Sequence, residues 1–135
     1  MDSQNWKDLS SVRLDKAKEL LHDAKSLLDQ ESFMSANNRA FYSMEKCIKA
    51  LLAIKNLDAK THNGCLKLFN MNFVVNPEEV FTSDDYKRIE RSERIRHTSD
   101  YDDFYIVNKR EAEQQVADAE YFFNKVEERL KNEID

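Results

Sequence analysis

The scarcity of glycine and proline is the feature that most constrains the fold of this chain. Gly64 is the only glycine and Pro77 the only proline among 135 residues. A sheet protein of this size needs many tight turns, and glycine and proline are the residues that such turns most often require. An all-α fold without a sheet is therefore predicted. Because 41% of the residues are hydrophobic and 35% are charged, the chain can close one core, and residues 1–135 are predicted to form a single domain.

Five segments carry the periodicity or the capping signals of α-helices. Apolar residues recur every three or four positions, which is the spacing of one helix face. The predicted helices cover about 11–30, 34–54, 61–74, 82–96 and 108–130. Thr61 and Asn108 are candidate N-caps, the latter with Glu111 as its capping-box partner, and Pro77 ends the third segment. The segment 98–107 stays without an assigned structure.

Several classes of function lack support in this sequence. Cys47 and Cys65 lie in apolar helical patterns without CxxC spacing, which predicts buried free thiols in a reducing compartment. No apolar run is long enough to span a bilayer, and the first residues lack the order of a signal peptide, so we expect a cytoplasmic protein without membrane contact. The sequence contains no catalytic triad, glycine-rich phosphate loop or Cys/His cluster, so neither a metal nor a cofactor is expected.

Residues 87–97 read KRIERSERIRH and are basic, although the net charge of -5 argues against nonspecific binding of duplex nucleic acid by the whole surface. One interpretation is a solvated helix face, in which Glu90 pairs with Arg94 and Glu93 offsets Arg96. The other is a phosphate-binding surface, because guanidinium groups match phosphate oxygens two at a time. Its candidate residues are Arg88, Arg91, Arg94 and Arg96. Composition alone does not separate the two interpretations.

The end of this basic segment also holds candidate residues for metal-independent cleavage of RNA. Such chemistry needs a proton acceptor, a proton donor and a cation near the phosphate, and histidine and arginine side chains can fill these roles. If the fourth helix continues to Tyr101, then Arg94, His97 and Tyr101 share one face at steps of three and four residues. Arg91 lies about 120° from His97 on a continuous helix. The candidate catalytic residues are Arg96, His97 and Tyr101.

Three ordered motifs resemble those of a known family. The second helix carries NNRAFYSMEKCIKALL, which is similar to SRAYYAMFHAAKALL through residues 39–42 and 49–52. The third carries KTHNGCLKLFNMNFV, similar to a TH-x-G segment followed by phenylalanine, and RHTSDYDDF is similar to an R-x-x-x-D-Y signature. The matched residues of these two motifs are Thr61, His62, Gly64, Phe69, Arg96, Asp100 and Tyr101. Over nearly the whole chain, the motifs resemble the HEPN domains (higher eukaryotes and prokaryotes nucleotide-binding), in particular the small stand-alone prokaryotic members.

The resemblance implies an up-and-down bundle of about five helices that forms a homodimer, with a basic cleft between the subunits. Many HEPN proteins are metal-independent ribonucleases with an Arg-x(4-6)-His motif, and many are toxins encoded beside a minimal nucleotidyltransferase antitoxin. Counted from Arg96, the position expected for this histidine holds Tyr101. Arg91 and His97 have the motif spacing, but they are out of register with the R-x-x-x-D-Y alignment.

Two functions stay open at this point. In the first, the protein binds RNA or nucleotide phosphate in the basic dimer cleft, as part of a toxin–antitoxin or defence-type system. In the second, it is an active ribonuclease toxin with Arg91 and Arg96 on the phosphate and His97 or Tyr101 near the transferred proton. In either case Arg39 and Asp100, opposite charges in two matched motifs, are expected to form a structural pair.

Overall fold

The computed structural model describes residues 3–75 and 80–134, and within these ranges the chain is helical without a strand. The helices are α1 (Ser3–Asp29), α2 (Phe33–Ala53), α3 (His62–Phe69), α4 (Ser83–Tyr101) and α5 (Lys109–Ile134). One π-helical segment, Asn70–Val74, continues α3 directly. The predicted all-α class with five helices is confirmed. The expected role of Pro77 lies outside the described residues.

The predicted N-caps are confirmed by side-chain hydrogen bonds. The hydroxyl of Thr61 accepts from the backbone N–H of Gly64 at 2.9 Å. A β-carbon at Gly64 would lie 2.9 Å from that same hydroxyl oxygen, so the absence of a side chain lets the cap close. At α5, Asn108 Oδ1 accepts from the N–H of Glu111 at 2.8 Å, while the Glu111 carboxylate accepts from the N–H of Asn108 at 3.4 Å.

Two helix boundaries differ most from the sequence prediction. Helix α1 begins at Ser3 rather than near residue 11, and part of the added segment contacts α2. The hydroxyl of Ser10 donates to the backbone oxygen of Ala50 at 2.7 Å, a tertiary contact that periodicity does not reveal. Helix α4 continues through Tyr101, so the first part of the segment 98–107 is helical.

Helix α2 is the central element and contacts α1, α3, α4 and α5. Its apolar side chains are buried, among them Phe41, Met44, Ile48, Leu51 and Leu52. A second part of the core is aromatic, with Phe69 in edge contact with Phe81 and Phe122 at centroid distances of 5.5 and 5.6 Å. The apolar stripes of α2 and α5 therefore pack inside the subunit. Among the described residues, no helix combines the length and apolar character needed to cross a membrane.

Helices α4 and α5 run antiparallel, and two ion pairs define their alignment. Lys125 Nζ lies 2.7 Å from Asp85 Oδ2, and Arg91 Nη2 lies 2.6 Å from Asp118 Oδ2. Higher numbers on α4 thus face lower numbers on α5. This arrangement brings the last turns of α4 beside the first turns of α5, where the candidate site lies.

Candidate functional site

Arg96 is buried and its guanidinium group is held by two carboxylates of its own helix. Its Nε and Nη2 donate to Glu93 at 2.9 and 3.0 Å, and its Nη1 donates to Asp100 at 2.6 Å. The guanidinium carbon lies 5.4 Å from the centre of the Phe41 ring. The hydrogen bonds that Arg96 donates to Glu93 raise the pKa of Arg96 above its ordinary value, outweighing the opposing effect of burial. The charge of Arg96 is thus neutralised by carboxylates of α4, and its contact with Phe41 joins α4 to α2.

The expected pair of Arg39 and Asp100 is corrected by this geometry. Within residues 3–75 and 80–134, no ion pair joins these two residues, and the Asp100 carboxylate instead binds Arg96. Arg39 is exposed on α2. The physical reason is proximity, because residues four apart on a helix are neighbours and Arg96 stands one turn before Asp100.

Two further arginines of the basic segment share one buried carboxylate on α5. Asp118 is 3% exposed and lies 2.6 Å from Arg91 Nη2 and 3.8 Å from Arg88 Nη1. The guanidinium of Arg88 also stacks over the Tyr121 ring at 4.4 Å. Moving either arginine onto a phosphate weakens the neutralisation of Asp118, which is costly for a buried charge.

Arg94 and Arg110 are both exposed, and in the described part of the chain neither of them forms an ion pair. The predicted ion pair of Glu93 with Arg96 is confirmed. The ion pair of Glu90 with Arg94, also predicted, does not form among the described residues. Sequence reasoning missed Arg110, because it lies beyond the α4–α5 loop and next to the N-cap of α5. The short connection between α4 and α5 was the available signal in the sequence, because helices joined by a short loop usually pack antiparallel as neighbours.

Arg94 and Arg110 line one cavity of about 550 Å³ between the end of α4 and the start of α5. This α4–α5 cavity is also lined by Arg91, Ile95, Tyr105 and Gln115. The Glu111 carboxylate at its edge accepts a short hydrogen bond from the Tyr105 hydroxyl. Burial, together with this bond, raises the pKa of Tyr105 to about 12, so its phenol stays neutral at physiological pH.

A second cavity, of about 780 Å³, lies between α3 and α4 and shares Arg94 with the first. Its wall includes Lys67 and His97, and also the carboxylate-bearing Glu90 and Glu93. His97 is exposed, and its ring centre lies 4.6 Å from that of Tyr101 on the next turn. Because α4 is continuous through Tyr101, Arg94, His97 and Tyr101 share one face of this helix, as predicted for a helix of that length. Arg96 points away from this face toward Phe41.

The remaining candidates for chemistry occupy structural positions. His62 makes a short hydrogen bond to Glu45 and an edge contact with Phe41, which ties α3 to α2. Cys47 and Cys65 are free and buried, and burial raises the pKa of both thiols, that of Cys65 to about 12. No group of three histidine, cysteine or acidic side chains in the described ranges is arranged to hold a metal ion.

Comparison with known proteins places this arrangement in a family. The family model described as HEPN domain matches residues 10–129. Putative toxin MJ0142 of Methanocaldococcus jannaschii is 33% identical over 117 residues, covering 87% of this chain and 78% of the relative. Putative toxin MJ0605 of the same organism is 34% identical, with 85% and 84% covered. The UPF0332 protein of Thermotoga maritima is 32% identical, with 87% of each chain covered. Because the family model spans most of its length, this chain belongs to the HEPN domain family.

Proposed function

We propose that this chain is a toxin-like HEPN protein that binds the phosphate groups of RNA or of a nucleotide at the α4–α5 cavity. One observation carries the proposal: Arg94 and Arg110 come from different helices, line the same cavity, and have no carboxylate partner in the described part of the chain. Two relatives of this chain bear the name putative toxin, which supports the toxin-like role.

These two arginines differ from the other arginines of the basic segment in having no ion-pair partner among the described residues. Arg96 is committed to Glu93 and Asp100, and Arg91 to Asp118. Binding a phosphate at those positions requires breaking an existing ion pair, whereas Arg94 and Arg110 exchange only water for phosphate oxygens. Guanidinium groups bind phosphate through paired N–H donors, so two unpaired arginines suit one phosphate or two successive ones.

The test is binding of a fluorescently labelled single-stranded RNA, measured by anisotropy at low salt. Arg94→Gln should weaken binding severalfold, because one phosphate contact is lost. Lys18→Gln is the matched control, since it removes one positive charge from an exposed position on α1. Equal weakening by the two substitutions would show that only net charge matters, and the site assignment would then be wrong.

A second candidate function is metal-independent cleavage of RNA, and the exposure of His97 beside Tyr101 favours it. His97 and Arg94 line the same cavity between α3 and α4. An imidazole there can accept the 2'-hydroxyl proton, while Arg94 supplies a cation for the charge that develops on the phosphate. The 2'-oxygen bonds to phosphorus, the bond from phosphorus to the 5'-oxygen breaks, and the leaving 5'-oxygen takes a proton from water. The Tyr101 phenol is a weaker candidate base, because a phenol gives up its proton less readily than an imidazolium does.

Cleavage of a labelled RNA in the presence of a metal chelator tests this second function. Wild type should cut the RNA, while His97→Ala and Arg94→Gln should lose activity and Tyr101→Phe should retain it. Full activity of His97→Ala would exclude His97 as the base. If wild type does not cut and still binds RNA, then the binding function stands without chemistry.

We also propose two partners for this protein in the cytoplasm. A second copy fits the exposed apolar side chains of Tyr101, Phe104 and Ile106, which are 76%, 96% and 82% exposed beside the α4–α5 cavity. A minimal nucleotidyltransferase antitoxin is the partner that the toxin-like role implies. Co-expression with the product of the neighbouring gene, followed by affinity purification, tests this second partner. Failure of a neighbouring nucleotidyltransferase to co-purify would count against it.

A further inference from the structure

Basic side chains cluster where α1 and α2 lie side by side. The Ser43 hydroxyl donates to the backbone oxygen of Ala17 at 2.7 Å, and Arg13 Nη1 donates to that of Lys49 at 3.0 Å. These bonds align the two helices as antiparallel neighbours. Residues three and seven positions apart on α2 share one face, which is partly or fully exposed along this groove. The cluster, called the α1–α2 surface below, consists of Lys16, Arg39, Lys46 and Lys49.

The carboxylates closest to this surface already have partners. Asp58 pairs with Arg13 at 3.1 Å, and Glu45 makes a short hydrogen bond to His62. In the part of the chain that the structure describes, none of the four basic residues of the α1–α2 surface forms an ion pair. All four are therefore open to ion pairs with another molecule.

The basic side chains are also close enough to affect one another. Burial lowers the pKa of Lys46, and the positive charges of Lys49 and Lys16 lower it further, although Glu45 opposes them. An anionic group bound at this place relieves the repulsion, because it brings an opposite charge next to the ammonium groups.

The chemistry of the surface suits a protein partner better than a nucleic acid. Three of the four cations are lysines, which lack the paired donors with which arginines match a phosphate. The ring of Tyr42, on the same face of α2, contacts the rings of Phe41 and His62 at 5.3 and 6.2 Å between centres. Single-stranded nucleic acids instead stack their bases on open aromatic faces. Val12, one turn before Lys16, is 50% exposed and adds an apolar group of the kind that protein interfaces contain.

We propose that the α1–α2 surface binds an acidic helix of a partner protein. Arg39 and Lys46 stand two turns apart on α2, about 10 Å along the helix axis. Carboxylates seven residues apart on a partner helix have the same spacing, so a helix lying along the groove can pair with both, while Lys16 stands on the α1 side. None of the four basic residues lines the α4–α5 cavity, so the inference does not depend on the proposed phosphate-binding function.

The probe is a labelled alanine-rich helical peptide whose glutamates form one stripe. A control peptide has the same composition, with its glutamates spread around the helix. In anisotropy titrations at low salt, the striped peptide should bind wild type about fivefold more tightly than the control peptide. Lys16→Glu/Arg39→Glu should weaken the striped peptide by about tenfold. Lys7→Glu/Lys18→Glu makes the same charge change at two exposed positions on another side of α1 and should weaken it by about twofold or less.

RNA binding distinguishes the two classes of partner. Lys16→Glu/Arg39→Glu should bind labelled single-stranded RNA within about twofold of Lys7→Glu/Lys18→Glu, and a larger loss would assign the surface to nucleic acid and overturn the inference. Equal binding of the two peptides to wild type, or equal effects of the two double variants on the striped peptide, would overturn it as well. All four substituted side chains are exposed, so both variants should keep the melting temperature of wild type.

Discussion

Asp100 accepts a hydrogen bond from Nη1 of Arg96, one turn earlier on α4, at 2.6 Å. The Arg-x-x-x-Asp-Tyr motif is thus a local ion pair, completed by Glu93 on the other side of the guanidinium group. The arginine lies over the ring of Phe41, so the charged cluster also fastens α4 to the central helix. This role differs from that of the exposed Arg94, two residues earlier.

Replacing Arg96 should therefore affect stability rather than phosphate binding. Arg96→Met should lower the free energy of unfolding by about 2 to 4 kcal/mol, because it leaves the partly buried Glu93 without its partner. Arg94→Met is the length-matched control and should change stability by less than about 0.5 kcal/mol, since Arg94 is exposed. Urea unfolding at neutral pH measures both. Equal stability of the two variants would contradict the structural role of Arg96.

The stability of the protein should fall in acid partly through Asp85. Burial alone would raise the pKa of this carboxyl, but hydrogen bonds from Lys125, the Thr82 backbone N–H and Tyr121 hold the pKa below its ordinary value. A carboxyl with a lowered pKa in the folded state contributes stability above its unfolded pKa, about 4, and this stability is lost as the pH falls through the folded value. Stability should therefore decline below about pH 4.

The substitution Asp85→Asn isolates this contribution. It should cost about 1 to 3 kcal/mol at pH 7, because it weakens the bonds to Lys125 and Tyr121, and should make unfolding less dependent on pH between pH 5 and 2. Asp84→Asn, at the exposed neighbouring position, is the control. Urea unfolding across that pH range provides the measurement. The same acid dependence in Asp85→Asn and wild type would refute the assignment.

A homodimer should form through the apolar side chains near the α4–α5 loop. The apolar stripes of α2 and α5 pack inside the subunit, so a second copy has to contact another apolar surface. Phe104 and Ile106 are almost fully exposed instead, and exposed apolar groups of this kind favour a protein interface. Sedimentation at micromolar concentration should give twice the 16.0 kDa mass of the chain.

Variants at this surface locate the interface. Phe104→Ser and Ile106→Ser should shift the mass toward 16.0 kDa, while Val12→Ser, at a half-exposed position on α1, should not. A wild-type particle of 16.0 kDa would remove the dimer from the account. A dimer that persists in both loop variants would place the interface elsewhere.

Local signals in the sequence predicted the fold well. The caps at Thr61 and Asn108 and the pairing of Glu93 with Arg96 depend on residues three or four positions apart, and helical geometry alone brings them together. The scarcity of glycine and proline, represented only by Gly64 and Pro77, was enough to predict the all-α class. The early start of α1 escaped prediction, because it depends on contacts with α2.

The candidate site was less predictable, because its charges are sorted by contacts between helices. Four arginines of one segment look equivalent in sequence. Only the antiparallel packing of α5 assigns Asp118 to Arg91 and brings Arg110 toward Arg94. The expected contact of Arg39 with Asp100 failed for the opposite reason, because a partner on the same helix was nearer than one on α2.

The salt dependence of RNA binding tests the central claim most directly, namely that Arg94 and Arg110 are the phosphate contacts. Each contact to a single strand contributes about 0.7 to the slope of the logarithm of affinity against the logarithm of salt concentration. Arg94→Gln/Arg110→Gln should therefore reduce the slope by about 1.4 relative to wild type. Lys18→Gln/Lys60→Gln, at two exposed positions, should leave the slope nearly unchanged. An arginine double variant with the wild-type slope would contradict the account.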